Sequence, residues 1–181
     1  MPSGLIAQEA KDRSNVVLKI CDETVRLKKG RIGLISDTHG LVRPEALTAL
    51  KGSELIIHAG DIGKPEVIQS LNGIAPVFAI RGNIDRQPWA RGIPDILNLK
   101  INSINFHVIH NVKDMAIDPV AAGFRAVVCG HSHMPGKVKR YGVLYLNPGS
   151  AGPRRFNLPT AVGMLYVSKR KLRATIIELA I

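Results

Sequence analysis

Residues Arg31–Asp61 read RIGLISDTHGLVRPEALTALKGSELIIHAGD, and this stretch decides the fold. The apolar runs at its two ends, Arg31–Asp37 and Glu54–Asp61, each stop at a polar or glycine-rich turn, which is typical of buried β-strands. Between them, Pro44–Lys51 begins with proline and is followed by Gly52. Proline suits the first turn of a helix and glycine suits the position past its end. The stretch therefore predicts a β-α-β unit.

The same pattern follows once more along the chain. Pro65–Asn72 is again a proline-initiated helical segment followed by glycine, and Pro76–Gly82 is a third apolar run. Right-handed crossovers make the three strands parallel and put their carboxyl ends on one edge, where open α/β sheets bind ligands. The first half is therefore predicted to be β-α-β-α-β.

The second half is predicted to be mostly antiparallel β-structure, beginning with a hairpin around Asn102 and Ser103. The expected elements are strands Asp95–Ile101 and Ile104–His110, a short helix Asp118–Phe124, and strands Ala126–Gly130, Gly142–Leu146, Ala161–Ser168 and Leu172–Leu179.

Two segments precede this main domain. Asn15–Lys28 alternates apolar and polar residues on both sides of Asp22 and Glu23, which predicts an extra β-hairpin within residues 15–30. Residues 1–14 have no strong period and are expected to form a mobile tail. The main domain is expected to cover residues 31–181.

Composition describes one globular domain without a membrane segment. The chain has 181 residues, 45% of them hydrophobic, and no apolar run approaches the roughly 20 residues that a membrane-spanning helix needs. The N-terminus lacks the pattern of a secretory signal, so we expect a cytoplasmic location and no membrane partner. Cys21 and Cys129 are expected to be reduced thiols.

The formal net charge is +11, from 25 Lys and Arg against 14 Asp and Glu, which favours phosphate-bearing partners or simply solubility. The basic residues are scattered except for a cluster at Lys169, Arg170, Lys171 and Arg173. Because only 4% of residues are aromatic, platforms for base stacking are few. Dedicated nucleic-acid binding is therefore an alternative that we do not favour.

Two pairs of polar side chains follow strands at a spacing of two residues. Asp37 and His39 form one pair, and His131 and His133 form the other. If the extended backbone continues through each pair, both side chains of the pair lie on the same side. Carboxylate and imidazole groups are suitable ligands for Mn, Fe, Ni or Zn.

A lone Asp-x-His is commonly a helix cap or a pair of surface residues without a function. The metal-site interpretation therefore depends on further candidate ligands at other strand ends. Asp61, Asn83 and His110 each end a further predicted strand. Five strand ends thus converge on one edge and carry seven potential metal ligands.

With these motifs the chain resembles the calcineurin-like metallophosphoesterase superfamily and, within it, the small YfcE-like phosphodiesterases, over roughly Arg31–Glu178. The supporting motifs are Ser36–Gly40 (SDTHG), His58–Asp61 (HAGD), Gly82–Asp85 (GNID), His110, Gly130–His133 (GHSH) and Asn147–Ser150 (NPGS). The resemblance implies an α/β fold of the four-layer αββα sandwich type, here with the extra N-terminal β-hairpin.

The resemblance also implies the metal ligands. The first metal would be held by Asp37, His39 and His133, the second by Asn83, His110 and His131, and Asp61 would bridge them. Mn²⁺ is the expected metal, with Ni²⁺, Fe²⁺ and Zn²⁺ as alternatives. Two cations about 3.5–4 Å apart polarise phosphoryl oxygens and turn a bridging water into hydroxide. The implied activity is hydrolysis of a small phosphodiester.

Two positions depart from the family pattern. Ile84 stands where larger relatives have a histidine that helps to protonate the leaving group, and Asn111 stands where relatives often have glycine. Without a proton donor, activated or cyclic diesters are the expected substrates, rather than alkyl monoesters.

Several alternatives stay open. The chain could be a protein-binding scaffold of the same fold, as a retromer subunit is, or a nuclease, and a homodimer is open as well. For Asp85, the alternatives are that it orients a metal ligand or that it caps the following loop. For the turn Asn147–Ser150, the alternatives are that its backbone amides face phosphate or that it is a tight structural turn. His58 is expected to pack behind the site, and His107 is expected to point to the opposite face from His110.

Overall fold

The fold consists of two β-sheets packed face to face, in a computed structural model that describes residues 8–11, 17–155, 157–169 and 171–181. In chain order the elements are β1 (Gln8–Lys11), β2 (Val17–Val25), β3 (Arg31–Ile35), α1 (Pro44–Leu50), β4 (Leu55–His58), α2 (Pro65–Asn72), β5 (Val77–Ala79), β6 (Ile96–Ile101), β7 (Ile104–Ile109), β8 (Ala126–Val128), β9 (Gly136–Arg140), β10 (Val143–Asn147), β11 (Ala161–Ser168) and β12 (Lys171–Glu178). Short 3₁₀ helices cover Pro88–Gly92 and Val112–Asp114.

The five-stranded sheet has the order β12-β11-β3-β4-β5 and contains the predicted β-α-β-α-β unit. Strands β3, β4 and β5 are parallel, while β11 pairs antiparallel with both β3 and β12. Both α-helices have proline in their first turn, as predicted. The longer of them has eight residues, and no helix of the described residues is long and apolar enough to cross a membrane.

The seven-stranded sheet has the order β1-β2-β6-β7-β8-β10-β9 and packs on the first sheet through a shared apolar core. Ile32 and Leu34 of β3 enter this core, where they meet Phe106 and Val108 of β7. Ile35 points the other way, into a second cluster beneath α1 and α2. This alternation follows from the two-residue period of a strand and gives every central strand two apolar faces.

The predicted α/β fold class with two stacked sheets is confirmed, although the expected fourth layer is thin. On the outer face of the seven-stranded sheet, Ile96, Ile109 and Val127 form a small cluster that Met115 covers. In the described part of the chain this layer holds the 3₁₀ helix Val112–Asp114 rather than an α-helix.

The predicted turn at Asp22 and Glu23 is wrong. Both residues lie in the middle of β2, which runs unbroken for nine residues and pairs in parallel with β6. The ladder with β6 keeps the backbone extended, and exposed Asp22 accepts a hydrogen bond from the Asn98 side chain at 2.9 Å. Strand β2 does have an antiparallel partner, but this partner is β1, which lies in the segment predicted to be a tail. The remainder of that tail, 1–7 and 12–14, lies outside the described residues.

Two further elements differ from the prediction. Residues 118–124 form a single turn instead of a helix: the Asp118 side chain accepts from the amide of Val120 at 2.8 Å, and Gly123, with a φ of 77°, ends the turn at once. Strand β9 is absent from the prediction because all five of its residues are exposed, which gives no apolar pattern to detect. The prediction of unpaired cysteines is confirmed, since Cys21 and Cys129 are both buried and free.

Candidate metal centre

The predicted ligands lie on loops with an unusual backbone at the carboxyl edge of the parallel strands. A left-handed φ occurs at five of the seven positions: Asp37 (53°), His39 (48°), Asp61 (54°), His131 (66°) and His133 (57°). The backbone therefore does not stay extended through the two pairs, and the period of two is not what aligns their side chains. Left-handed backbone costs a non-glycine residue roughly 1–2 kcal/mol, so the surrounding structure must hold it in place.

Hydrogen bonds between neighbouring loops hold this backbone. The amide of Asp37 donates to the carbonyl of Gly60, and the amide of His39 donates to the carbonyl of Asp61, both at 3.0 Å. The loop after β3 is thus fastened to the loop after β4. In turn, the amide of His131 donates to the Asp37 carboxylate at 3.1 Å, which brings the late Gly-His-Ser-His segment to the early strands.

The first predicted half-site is assembled, with Asp37 and His133 buried and His39 half-buried. The His133 Nε2 atom lies 3.3 Å from Asp37 Oδ1 and 3.4 Å from His39 Nε2. Candidate ligand atoms of these three residues all lie within 4.8 Å of one another, and the same holds for Asp37, Asp61 and His110. Asp37 belongs to both groups, so the two half-sites are in direct contact.

Asp61 lies between the two half-sites. Its Oδ2 atom is 3.8 Å from His39 Nε2, and its Oδ1 atom is 3.4 Å from His110 Nε2. Each carboxylate oxygen therefore faces a histidine of a different half-site. The amide of Ile84 also donates to Oδ1 at 3.2 Å, which fixes the orientation of the carboxylate.

Asn83 and His131 lie at the same edge but are exposed. Gly82 packs so tightly on Asp61 that a Cβ atom at Gly82 would come within 2.2 Å of Asp61 Oδ1, so Asn83 directly adjoins the centre. The His131 ring lies 5.3 Å from the His110 ring, centroid to centroid. The structure thus brings five predicted residues into groups with the spacing of metal ligands and places Asn83 and His131 beside them, open to solvent.

The chemistry of the donor set fits divalent cations. The His110 Nδ1 atom lies 2.7 Å from the carbonyl oxygen of Ala59, which can only accept, so Nδ1 carries the proton. The Nε2 atom then presents its lone pair to the centre, where it is buried without a hydrogen-bond partner among the described residues. A histidine held through one nitrogen with the other free is the usual state of a metal ligand.

The electrostatics point the same way. Burial raises the pKa of Asp37 to about 6, although the Ser36 hydroxyl donates to its carboxylate at 2.7 Å. Burial would also raise the pKa of Asp61, but its contact with His110 outweighs burial and holds the pKa at about 2. Burial lowers the pKa of His133 to about 4. Burial thus favours the neutral imidazole, the form that binds a cation, at His39 and His133. Burial alone would also lower the pKa of His110, but its contacts with Asp61 and the Ala59 carbonyl raise it, so a bound cation would replace the Nε2 proton of His110.

Residues behind the ligands brace the loops. Asp85 is buried, and its carboxylate accepts from the amides of Ile62 at 3.0 Å, Gly63 at 2.8 Å and Gly82 at 2.8 Å. It thereby ties the loop that carries Asp61 to the loop that carries Asn83. Its position two residues after Asn83 was the only sequence signal for this role.

The other residues with open interpretations lie outside the centre. His58 is fully buried, and its Nε2 lies 2.9 Å from the hydroxyl of Thr38, as expected for a packing residue. His107 contacts Asn98 at 2.8 Å, away from His110. Within Asn147–Ser150, the Ser150 hydroxyl donates to the carbonyl of Asp37 at 2.9 Å, which favours the structural turn.

Two clefts flank the centre. One has a volume of about 610 Å³ and is lined by Arg81, Asn83, Arg86, Ile96, His110 and Asn111, among others. The other has a volume of about 990 Å³ and is lined by Asn111, His131, Met134, Val138, Arg140 and Tyr145, among others. Each exposed predicted ligand, Asn83 or His131, therefore borders a different cleft.

A family model described as the calcineurin-like phosphoesterase superfamily domain matches residues 31–170 of the chain. The chain belongs to this superfamily. A relative from Methanothermobacter thermautotrophicus, named "Probable metallophosphoesterase", is 32% identical over 159 residues, which cover 81% of this chain and 91% of the relative. The segment matched by the family model, residues 31–170, contains all seven predicted ligands, and the sequence resemblance to the superfamily is confirmed.

Solved structures of similar fold include enzymes and other proteins. A structure described as a novel archaeal phosphodiesterase superposes with a TM-score of 0.67 and 25% identity, covering 81% of this chain and 99% of its own. Vps29 of Entamoeba histolytica in complex with Zn²⁺ superposes with a TM-score of 0.65 and 18% identity, covering 82% and 98%. The second likeness concerns the fold alone. This chain is thus a phosphoesterase-family protein with candidate metal-binding groups.

Proposed function

We propose that this calcineurin-like protein hydrolyses small or activated phosphodiesters at a centre for two divalent cations, Mn²⁺ first among them. The proposed ligand sets are Asp37, His39 and His133 for one cation and Asn83, His110 and His131 for the other, with Asp61 shared. The observation that carries the proposal is the position of Asp61, whose two carboxylate oxygens face His39 and His110 at 3.8 and 3.4 Å.

Two divalent cations held by these residues would supply Lewis-acid polarisation of the phosphoryl oxygens and a water of lowered pKa as nucleophile. The chain's own residues hold the geometry. Ser36 and the amide of His131 fix the Asp37 carboxylate, and the carbonyl of Ala59 fixes the tautomer of His110. Because the donors are already oriented, little reorganisation is needed when substrate binds.

The two clefts favour a diester over a monoester. A phosphodiester carries an organic group on each of two ester oxygens, and a phosphoryl group at the centre would place one group towards Asn83 and the other towards His131. Both clefts are wide enough for groups of ring size. A monoester would leave one of them empty.

Leaving-group chemistry narrows the substrate further. Ile84, at the position of the family's proton donor, is 38% exposed and cannot give a proton. The alcohol must then leave as an anion or take its proton from water, which favours phenolic or strained cyclic esters. This is the basis for proposing activated or cyclic diesters.

The test is hydrolysis of bis-p-nitrophenyl phosphate by the full chain after chelation and reloading with Mn²⁺. Turnover should require the metal, exceed turnover of p-nitrophenyl phosphate, and disappear in Asp61→Ala and Asn83→Ala. Asn105→Ala, at an asparagine outside the centre, is the matched control and should retain the wild-type rate. Equal rates in wild type and in the Asp61 and Asn83 variants would overturn the proposal. Metal binding without turnover of any ester would replace it with a scaffold role.

A further inference from the structure

A third cleft, rich in basic residues, lies at the open edge between the two sheets. Its volume is about 460 Å³, and its lining residues are Arg125, Lys139, Gly142, Leu144, Lys171, Leu172 and Arg173. Among the residues that the structure describes, Arg81–Asp95 is the one salt bridge formed by a lysine or arginine. The four cations of this basic cleft therefore have no carboxylate partner in the described part of the chain. Part of the sequence cluster 169–173 converges there with Arg125 and Lys139 from the other sheet.

The basic cleft is remote from the metal centre. Arg125 directly precedes β8, whereas His131 follows the same strand at its other end. Six residues of nearly extended chain span on the order of 15–20 Å. A molecule bound in the basic cleft therefore does not contact the residues of the metal centre.

An unusual tyrosine, Tyr141, directly precedes Gly142, which lines the basic cleft. Arg140 pairs with Val143 across β9 and β10, so Tyr141 and Gly142 form a two-residue hairpin loop, with φ values of 48° and 85°. Such a loop favours asparagine followed by glycine, because both positions need a left-handed backbone. Tyr141 is instead a bulky residue in that conformation, and it is 92% exposed. Neither the backbone geometry of the loop nor side-chain packing explains why a tyrosine occupies this position. Backbone strain at a non-glycine residue is commonly found at functional sites.

We propose that the basic cleft and Tyr141 bind single-stranded nucleic acid, with backbone phosphates in the cleft and a base stacked on the tyrosine. A groove of cations that follows the backbone, beside an exposed aromatic ring, is the chemistry by which proteins hold single strands without reading their sequence. The composition of the chain offers few aromatic residues, but the hairpin places this exposed one beside Gly142 at the rim of the basic cleft. The inference is independent of the proposed hydrolysis.

A concave site favours a strand over a membrane surface. The cations line a cleft between two sheet edges and are not spread over a flat face, and a single tyrosine provides little apolar surface for insertion into lipid. The walls of a cleft can contact phosphates from two sides, which a bilayer surface cannot offer.

The first test is the fluorescence anisotropy of a labelled oligothymidylate with the full chain in EDTA, so that no hydrolysis occurs. Lys139→Glu/Arg173→Glu should weaken binding by about 10-fold or more and reduce the slope of log K against log salt by about 1.4, since each lost single-strand phosphate contact contributes about 0.7. The matched control, Arg91→Glu/Lys100→Glu, makes the same charge change at exposed residues outside the cleft. An equal loss in both double variants would overturn the proposal.

The second test uses a variant that should not harm folding. Tyr141→Asn installs the residue that the hairpin loop prefers, so the melting temperature should rise or stay unchanged while affinity falls by about 10-fold. Tyr141→Phe keeps the ring and should keep the affinity. Unchanged oligonucleotide binding by Tyr141→Asn would overturn the stacking role and with it the proposal.

Two measurements on the unmodified protein distinguish nucleic acid from lipid headgroups and free phosphates as the ligand of the basic cleft. Photo-crosslinking to an oligonucleotide that contains 5-iodouracil should label Tyr141, and labelling confined to the metal-centre edge would contradict the proposal. Phosphatidylserine vesicles and inorganic triphosphate should bind more weakly than the oligonucleotide. Tighter binding of either would replace nucleic acid as the ligand of the cleft.

Discussion

The seven predicted ligands fall into two groups that the fold holds differently. Asp37, Asp61, His110 and His133 are buried, the His39 side chain is 11% exposed, and loop-to-loop hydrogen bonds fix this group. Asn83 and His131 are exposed and border separate clefts. The comparison teaches that the five residues of little exposure are held in place by the fold itself, whereas under the proposed function the exposed pair would complete the second cation's sphere where substrate enters.

The largest expected effect separates the two groups by substitution. Asp61→Asn removes the shared carboxylate and should lower kcat/KM for bis-p-nitrophenyl phosphate by about 1,000-fold or more, whereas His131→Asn should cost about 10- to 100-fold. Asparagine tolerates the left-handed backbone that both positions require, so the fold should persist. Steady-state kinetics with elemental analysis of bound manganese gives the result. Equal losses in the two variants would contradict the comparison.

Matched controls exist for both substitutions. Asp22→Asn changes an exposed aspartate on β2, and His107→Asn changes a buried histidine outside the centre. Both should keep the wild-type rate and the wild-type metal content. A large loss in either would mean that charge or histidine burial in general, and not membership of the centre, determines activity.

Removal of the metal should lower the thermal stability of the protein, and the size of this effect should depend on the five ligands of little exposure. A ligand present at about 100 times its Kd stabilises the native state by about 2.7 kcal/mol, which for a chain of this size is a shift in Tm of roughly 5–10 °C. EDTA should therefore lower the Tm of the Mn²⁺-loaded protein by this amount. His131→Asn should keep most of the shift and Asp61→Asn should lose it. An undiminished Mn²⁺-dependent shift in Asp61→Asn would break the comparison.

Supplying a proton donor tests the open side of the centre. Ile84→His should raise kcat/KM for diphenyl phosphate by about 10-fold, because phenolate is a poorer leaving group than p-nitrophenolate and gains from general-acid assistance. The rate with bis-p-nitrophenyl phosphate should change little. Ile84→Phe controls for bulk, and the same gain in Ile84→Phe would refute the explanation by proton donation.

The smallest expected effect concerns a buried histidine that is not in the centre. Burial lowers the pKa of His107 to about 4 from a usual value of 6.5. As the pH falls, His107 is protonated in the unfolded chain near pH 6.5 but in the folded protein only near pH 4. The contribution of neutral His107 to the free energy of unfolding is therefore fully present above pH 6.5 and is lost as the pH falls from 6.5 towards 4. Between about pH 7 and about pH 5.5 the loss should be about 1 kcal/mol.

His107→Asn should remove this part of the pH dependence while it preserves activity, as measured by urea unfolding in EDTA at the two pH values. An identical pH dependence in wild type and variant would contradict the assignment. The result would show that burial of a histidine and participation in the metal centre are separable properties.

The position of the site was predictable from sequence because topology, not local geometry, determines it. The ends of parallel strands must meet at one edge, so Asp37, Asp61 and Asn83 were expected together. Their left-handed backbone was not predictable, since it depends on bonds such as Asp37 to Gly60 between loops distant in sequence. The division into buried and exposed ligands depends on the same loop packing.

The errors in the fold also have physical causes. Asp22 and Glu23 have the composition of a turn, but pairing with β6 outweighs that local preference. Asp118 begins a helical turn with a side-chain cap, yet Gly123 ends it before a helix forms. Strand β9 is fully exposed and leaves no hydrophobic pattern to detect. In the first two cases a tertiary contact or a single residue outweighed the local signal, whereas β9 gave no local signal.

The most direct test of the central claim is electron paramagnetic resonance of the protein loaded with two equivalents of Mn²⁺. If Asp61 is shared between adjacent cations, the wild type should give the spectrum of a spin-coupled manganese pair, and Asp61→Asn should give only the six-line signal of isolated Mn²⁺. Isolated signals alone from the fully loaded wild type would contradict the account.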